Sequence, residues 1–191
     1  MNALENWFCS SGIWRGITQR RILPWLLDGV ALGDHVLEIG AGAGAATSDL
    51  HRRANHVTSL EYSAGLAAKL ALQGGSVPQV VRGDATQLPF ASSRFSSVLA
   101  VLMLHHLPSE SGQDRAFHEA ARVLRPGGMF IAFEIHDRWV QRVSHFRSTF
   151  TPLRIETLAP RLAAAGFGAP RIDTQPQGFR LVAQKSGRNL D

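Results

Sequence analysis

Two patterns of apolar and polar positions alternate along the chain. Short runs made almost wholly of apolar and β-branched residues are separated by longer stretches in which apolar residues recur at three- and four-residue spacing. The first pattern marks strands buried on both faces, the second amphipathic helices. The strand-like runs are Val36 to Ile39, His56 to Glu61, Val77 to Arg82, Phe95 to Leu104 and Met129 to Ile135. Ala169 to Thr174 and Phe179 to Lys185 follow as two strands of a hairpin, joined by a turn containing Pro176 and Gly178. Helical spacing predicts a helix from Ala45 through Leu50. A second, N-capped by Ser63, runs through Leu66, Leu70 and Leu72 and stops at Gly74-Gly75. A third spans Gly112 to Leu124, with Arg125-Pro126-Gly127-Gly128 expected to close it, and a fourth runs from Leu158 to Ala165. Strands alternating with helices and ending in a hairpin predict a doubly wound α/β sheet, parallel except for its last strand.

Two segments lie outside this alternation. Residues 1–33 carry Trp7, Phe8, Trp14 and Trp25, with Ile13, Trp14, Ile17 and Arg21 at helical spacing and Pro24 expected to interrupt the helix and open a further turn. Packing on the sheet and closure over a ligand are both readings of this segment. The connector 136–152 is longer than loops usually run. It places Trp139, Val143, Phe146 and Phe150 on one helical face, with Arg138, Arg142 and Arg147 among them, and is read as a lid or as core.

Candidate chemistry begins where the first strand runs into glycine: Val36-Leu37-Glu38-Ile39-Gly40-Ala41-Gly42-Ala43-Gly44. Glycine is needed where the backbone turns tightly or a ligand approaches closely, and the helix start beyond the turn suits an anionic group. Gly40-Gly42-Ala45 also fits a dinucleotide fingerprint, so the glycines alone leave the ligand open. The full string, with Glu38 inside the strand, resembles motif I of the class I S-adenosylmethionine-dependent methyltransferases. Gly83-Asp84-Ala85 followed by Leu88-Pro89-Phe90 resembles the family's motif II. Leu104-His105-His106-Leu107-Pro108 resembles the region after the fourth strand in UbiE-like small-molecule methyltransferases, and Leu124-Arg125-Pro126-Gly127-Gly128 before a strand is common in the family.

The resemblance covers about residues 30–185 and implies a Rossmann-like seven-stranded sheet of order 3-2-1-4-5-7-6 in a single domain, 1–191. It implies S-adenosyl-L-methionine as cofactor. Gly40, Gly42 and Gly44 would pass its methionyl part, with Glu38 bracing the loop. Glu61 would take the ribose hydroxyls, Tyr62 would lie along the adenine, Asp84 would accept from the adenine amine and the Ala85 N–H would meet the ring. Val101, within the fourth run, completes the expected cofactor set. His105 or His106 is the expected general base where the acceptor must lose a proton. The implied reaction is methyl transfer to a small molecule. The Asp/Asn-Pro-Pro-aromatic motif of enzymes that methylate exocyclic base amines is missing, which weighs against nucleic acid. Other readings stay open: a nicotinamide-dependent oxidoreductase on the same glycine turn, or an inactive methyltransferase-fold binding protein.

Composition narrows the setting. The chain has 191 residues, 45% hydrophobic and 18% charged, an ordinary balance for one globular domain. Its net charge of +5 comes almost wholly from arginine, the only lysines being Lys69 and Lys185. That excess, spread among acidic residues, gives a mild attraction for anions, so the expected acceptor is an organic molecule able to carry negative charge. No apolar run approaches the length of a membrane span. The single cysteine, Cys9, fits a reducing or indifferent compartment, with the cytoplasm expected, and excludes a cysteine-based zinc site. No metal-ligand spacing is evident, and the two histidines lack a carboxylate partner nearby in sequence. Oligomeric state and the methylated atom stay open.

Overall fold

The computed structural model describes residues 11–73, 79–137 and 148–187. The expectations placed on Trp7, Phe8, Gly74-Gly75, Val77 and 138–147, with Trp139, Val143 and Phe146, lie outside these residues.

The helical N-terminal segment comes first, as α1 (Gly12–Ile17), a π-helical turn (Thr18–Ile22) and α2 (Leu23–Leu26). Then follow β1 (His35–Ile39), α3 (Thr47–Arg53), β2 (His56–Glu61), α4 (Ala64–Ala71), β3 (Gln79–Arg82) and β4 (Phe95–Val101). A 3-10 turn (Leu104–His106), α5 (Glu110–Val123), β5 (Leu124–Glu134), α6 (Ile155–Ala164), β6 (Arg171–Gln175) and β7 (Gly178–Gln184) complete the order. The seven strands form one sheet of order β3-β2-β1-β4-β5-β7-β6. Pairing is parallel from β3 through β5, and β7 runs antiparallel to both neighbours. This is the expected Rossmann-like topology.

Alternate residues of each central strand enter opposite apolar layers, as the period of two requires. Leu37, Ile39, Val98, Ala100, Phe130 and Ala132 pack with Phe117 of α5 and Leu158 and Leu162 of α6. Val36, Leu99, Ile131 and Phe133 pack on the other face with Leu50 of α3 and with Ile22, Leu23 and Leu26 of the N-terminal segment. Two-sided burial explains why these strands read as continuous apolar runs. Chain order reverses between β1 and β4, so the carboxyl edge opens a crevice there, where ligands bind in open α/β sheets.

Three expectations change. Strand β4 stops at Val101, because Leu102 turns left-handed (φ 55°) and Leu104–His106 coil into the 3-10 turn. The Arg125-Pro126-Gly127-Gly128 string does not cap α5. The helix ends directly in extended backbone at Leu124, and the string bulges within β5, where Phe95 pairs Leu124 but Ser97 pairs Met129. In the N-terminal segment Pro24 does not interrupt the helix. It lacks the N–H that Arg20's carbonyl would accept, and the preceding turn widens so that the Leu23 N–H bonds back to the Thr18 carbonyl.

One buried side chain ties the crevice to the helices. Gln113 of α5 is fully buried, donates to the carbonyls of Leu104 (3.3 Å) and Thr151 (2.8 Å), and accepts from Arg161 (3.0 Å). We predict that Gln113→Leu, which removes all three bonds, lowers unfolding free energy in urea by about 2–4 kcal/mol. A loss below about 0.5 kcal/mol, the level of a neutral surface change, would mean water satisfies them equally well.

Candidate active site at the carboxyl edge of the sheet

The glycine turn leaves β1 with Gly40 and Ala41 both donating their N–H to the Leu60 carbonyl of β2, at 2.8 and 3.1 Å. Gly40 and Gly42 both have positive φ, 71° and 56°, a region costly for residues with a Cβ. Their surroundings differ. A Cβ on Gly40 would lie 2.5 Å from the Met103 side chain, whereas one on Gly42 would meet no atom within 4 Å. Gly40 is therefore a packing requirement, and Gly42 faces open space.

Glu61, at the end of β2 and only 7% exposed, is fixed against this turn. Its Oε2 accepts the Gly42 N–H and its Oε1 the Ser63 N–H, both at 2.8 Å. A carboxylate oxygen has two lone pairs, so each keeps acceptor capacity beyond its backbone bond. Glu38 sits behind the turn, 3% exposed. Its Oε2 accepts from Thr47 Oγ1 (2.7 Å) at the start of α3 and from Ser59 Oγ (2.8 Å) on β2. Burial pushes its carboxyl up to about 7, with the Glu61 charge adding and the two hydroxyl bonds opposing.

The next strand end supplies the Asp84 turn. Asp84 Oδ1 accepts from the Thr86 N–H and hydroxyl, both at 2.8 Å, and Ala85 is buried. Tyr62 is 73% exposed and, with Arg82, Gly83 and Asp84, borders a hollow of about 320 Å³. Glu119 and Arg122 of α5 brace the chain just beyond. Glu119 accepts the Leu88 N–H (2.6 Å), and Arg122 donates to the carbonyls of Leu88 (2.9 Å) and Phe90 (2.8 Å). Sequence reasoning missed this pair; the E-x-x-R spacing on a helix was its only signal. A second hollow, of about 420 Å³, lies at the opposite, amino edge beside His35, His56 and Arg94, away from the glycine turn.

His105 and His106 lie in the 3-10 turn beyond β4, their ring centroids 4.2 Å apart. His105 is buried and its Nδ1 meets Glu134 Oε2 at 2.5 Å; the other Glu134 oxygen accepts the Leu104 N–H at 2.8 Å. No carboxylate stands at ligand spacing in the sequence; the fold brings one from another strand. Glu134 ends β5, distant in sequence, and only parallel pairing of β4 with β5 brings it alongside. His106 Nδ1 lies 3.3 Å from the Thr149 carbonyl. Val101 is half-buried at the end of β4, among the residues packed against the N-terminal segment.

That segment reaches over the glycine turn. Arg15 donates to the Ala43 carbonyl (3.4 Å), and Gln19 to the Ala45 carbonyl (3.3 Å) and Ser48 Oγ (2.8 Å). Gln73 at the end of α4 donates to the same Ala43 carbonyl at 3.1 Å. Trp25 is packed rather than presented: it meets Phe133 edge-on at 6.0 Å, with the Arg180 guanidinium 5.4 Å from its ring centroid.

Comparison with known proteins decides the family. The family model described as "Methyltransferase domain" matches residues 37–132, from β1 through β5. The chain belongs to this methyltransferase-domain family. A demethylmenaquinone methyltransferase of Mycobacterium tuberculosis is 34% identical over 152 residues, 80% of this chain and 58% of that protein. The chain spans about half the length of the curated relatives it matches. Among solved structures, an S-adenosylmethionine-dependent methyltransferase from Mesorhizobium loti superimposes with a TM-score of 0.72 at 18% identity, covering 85% of this chain and 96% of that one. The [4+2]-cyclase SpnF superimposes with a TM-score of 0.70 at 20% identity, covering 87% and 80%. These likenesses show the class I methyltransferase fold; the cyclase shows that the fold alone does not fix the reaction.

The residues present fit S-adenosylmethionine, the donor the family implies. Gly42 leaves open the space its side chain would fill. Acceptor-only carboxylates at Glu61 and Asp84 suit vicinal hydroxyls and an exocyclic amine.

Glu38 supplies a test by pH. Its folded pKa, about 7, lies above the ordinary value of 4.5, so the folded state binds the extra proton and stability falls as pH rises between the two. We predict that Glu38→Gln, which carries no charge to bury, gains on the parent by roughly 3 kcal/mol between pH 4 and pH 8. Urea titrations of both proteins measure it, and a pH-independent difference would place the carboxyl in a solvated setting.

Proposed function

We propose that this protein is a methyltransferase that moves the methyl group of S-adenosylmethionine to a small organic acceptor. The observation that carries the reading is the pairing of Gly42, open at positive φ, with Glu61 pinned beside it by the Gly42 N–H. When bound, the cofactor supplies an electrophilic methyl carbon on a sulfonium. The chain's own work is to hold and align the reactants, which by itself can account for a large share of a rate enhancement. Glu61 takes the ribose hydroxyls, Asp84 the adenine amine through Oδ2, and the Ala85 N–H and Tyr62 the ring.

His105 is the candidate base. Glu134 fixes its Nδ1, which confines proton exchange to Nε2 and sets the ring's direction. His106 is the alternative for the same role. We place the acceptor at the carboxyl edge of β4, beside the described part of the N-terminal segment, all within one domain. The named activity of the demethylmenaquinone relatives supports an organic ring-bearing acceptor, and the chain's net charge of +5 supports one with negative charge. The single cysteine, Cys9, favours the cytoplasm. No helix among the described residues is long and apolar enough to cross a membrane.

Transfer of labelled methyl from S-adenosylmethionine to a panel of quinols and other small organic acids tests the activity. In calorimetry, Gly42→Val is expected to stay folded, at a backbone cost of about 1–2 kcal/mol, and to lose cofactor binding. Glu61→Ala is expected to weaken that binding by about 1–3 kcal/mol. Unchanged affinity in both would remove the glycine turn from the binding site. His105→Ala is expected to cut turnover roughly 10²–10⁴-fold with cofactor affinity unchanged. Full turnover per folded molecule would leave His105 a structural tie between β4 and β5.

A further inference from the structure

Thr18 carries a buried hydroxyl that nothing around it explains. The residue is 1% exposed, and its Oγ1 has no hydrogen-bond partner among the described residues. Such a group costs free energy, and a valine would fill the same volume without that cost. Thr18 opens the π-helical turn Thr18–Ile22 that Pro24 imposes, an irregularity frequent at functional sites.

Its direction follows from its neighbours. Residues 15, 18 and 19 share a helix face at three- and four-residue spacing. Arg15 bonds the Ala43 carbonyl and Gln19 the Ala45 carbonyl. The face bearing Thr18 therefore lies over the glycine turn, and Ile22, one turn on, packs in the same cluster as Ala46. The charge of the segment is one-sided: from Ser11 to Leu27 it has Arg15, Arg20 and Arg21 and no Asp or Glu. A hydroxyl donor on a basic, acid-free helix facing an open glycine turn suits an anion.

We propose that Thr18 is a cofactor-positioning residue whose hydroxyl donates a hydrogen bond to the carboxylate of the cofactor's methionyl group, with Arg15 of the same face supplying the countercharge. This deepens the methyltransferase reading and rests on it. The orphaned hydroxyl is then a group held in wait, satisfied only when the cofactor arrives.

The test separates cofactor binding from folding, using S-adenosylhomocysteine and methylthioadenosine, which lacks the amino-acid part, as calorimetric probes. Thr18→Val should bind S-adenosylhomocysteine about tenfold more weakly, the ordinary loss for one hydrogen bond to a charged group. It should bind methylthioadenosine as the parent does. Its melting temperature without ligand should rise by about 2–4 °C, because the unsatisfied group is gone. Thr18→Ser, which keeps the hydroxyl, should hold S-adenosylhomocysteine within about threefold of the parent. Equal S-adenosylhomocysteine affinity in the parent and Thr18→Val overturns the proposal, as does an equal loss for both probes. If the parent itself binds neither probe, it is the methyltransferase reading that fails.

Discussion

Glu61 holds two backbone N–H groups from separate segments, Gly42 of the glycine turn and Ser63 ahead of α4, and the geometry of the carboxyl edge depends on that hold. It pins the turn to β2 where the chain has left the sheet and has no ladder to join. The Leu60 carbonyl takes Gly40 and Ala41, and Glu38 takes the Thr47 hydroxyl. The whole path from β1 into α3 is thus anchored to β1 and β2. Two acidic side chains this close would repel if both were ionised. Burial of Glu38 eases the conflict by raising its pKa to about 7, to which the neighbouring Glu61 charge adds. Glu38, behind the turn, acts as a hydrogen-bonded strut between the Thr47 and Ser59 hydroxyls.

The same division recurs along the edge: one residue touches the crevice and another, from a distant element, fixes it. Asp84 sits in its turn while Glu119 and Arg122 hold the chain that follows. His105 lies beyond β4 while Glu134 at the end of β5 orients its ring. A buried carboxylate bonded to both the Leu104 N–H and the His105 ring fixes the turn and the side chain together. Arrangements of this kind keep reacting groups within the narrow tolerance that alignment-driven catalysis needs.

The sheet was legible because its central strands and β7 are buried on both faces, so Val36 to Ile39, His56 to Glu61 and Phe179 to Gln184 announce themselves by composition. The glycine turn was legible for a different reason, since positive φ at Gly40 and Gly42 leaves a residue-type signature. Equally plain in spacing, those two glycines serve different ends, and only the distance to Met103 tells them apart. What stayed hidden depends on contacts between distant segments. Nothing near His105 in sequence points to Glu134, and the bulge of Arg125 to Gly128 within β5 looks in sequence like a helix cap. The π-helical turn before Pro24 is a response of neighbouring residues to a missing N–H, which a pattern of apolar positions does not record.

The central claim is that the crevice between β1 and β4 is built for S-adenosylmethionine and not for a dinucleotide. Calorimetric titration of the parent protein with S-adenosylhomocysteine and, separately, with NAD tests it most directly. The account predicts saturable one-to-one binding of S-adenosylhomocysteine, weakened when Glu61 is replaced by alanine, and no heat of binding with NAD. Binding of NAD that depends on Glu61, with S-adenosylhomocysteine inert, would contradict it.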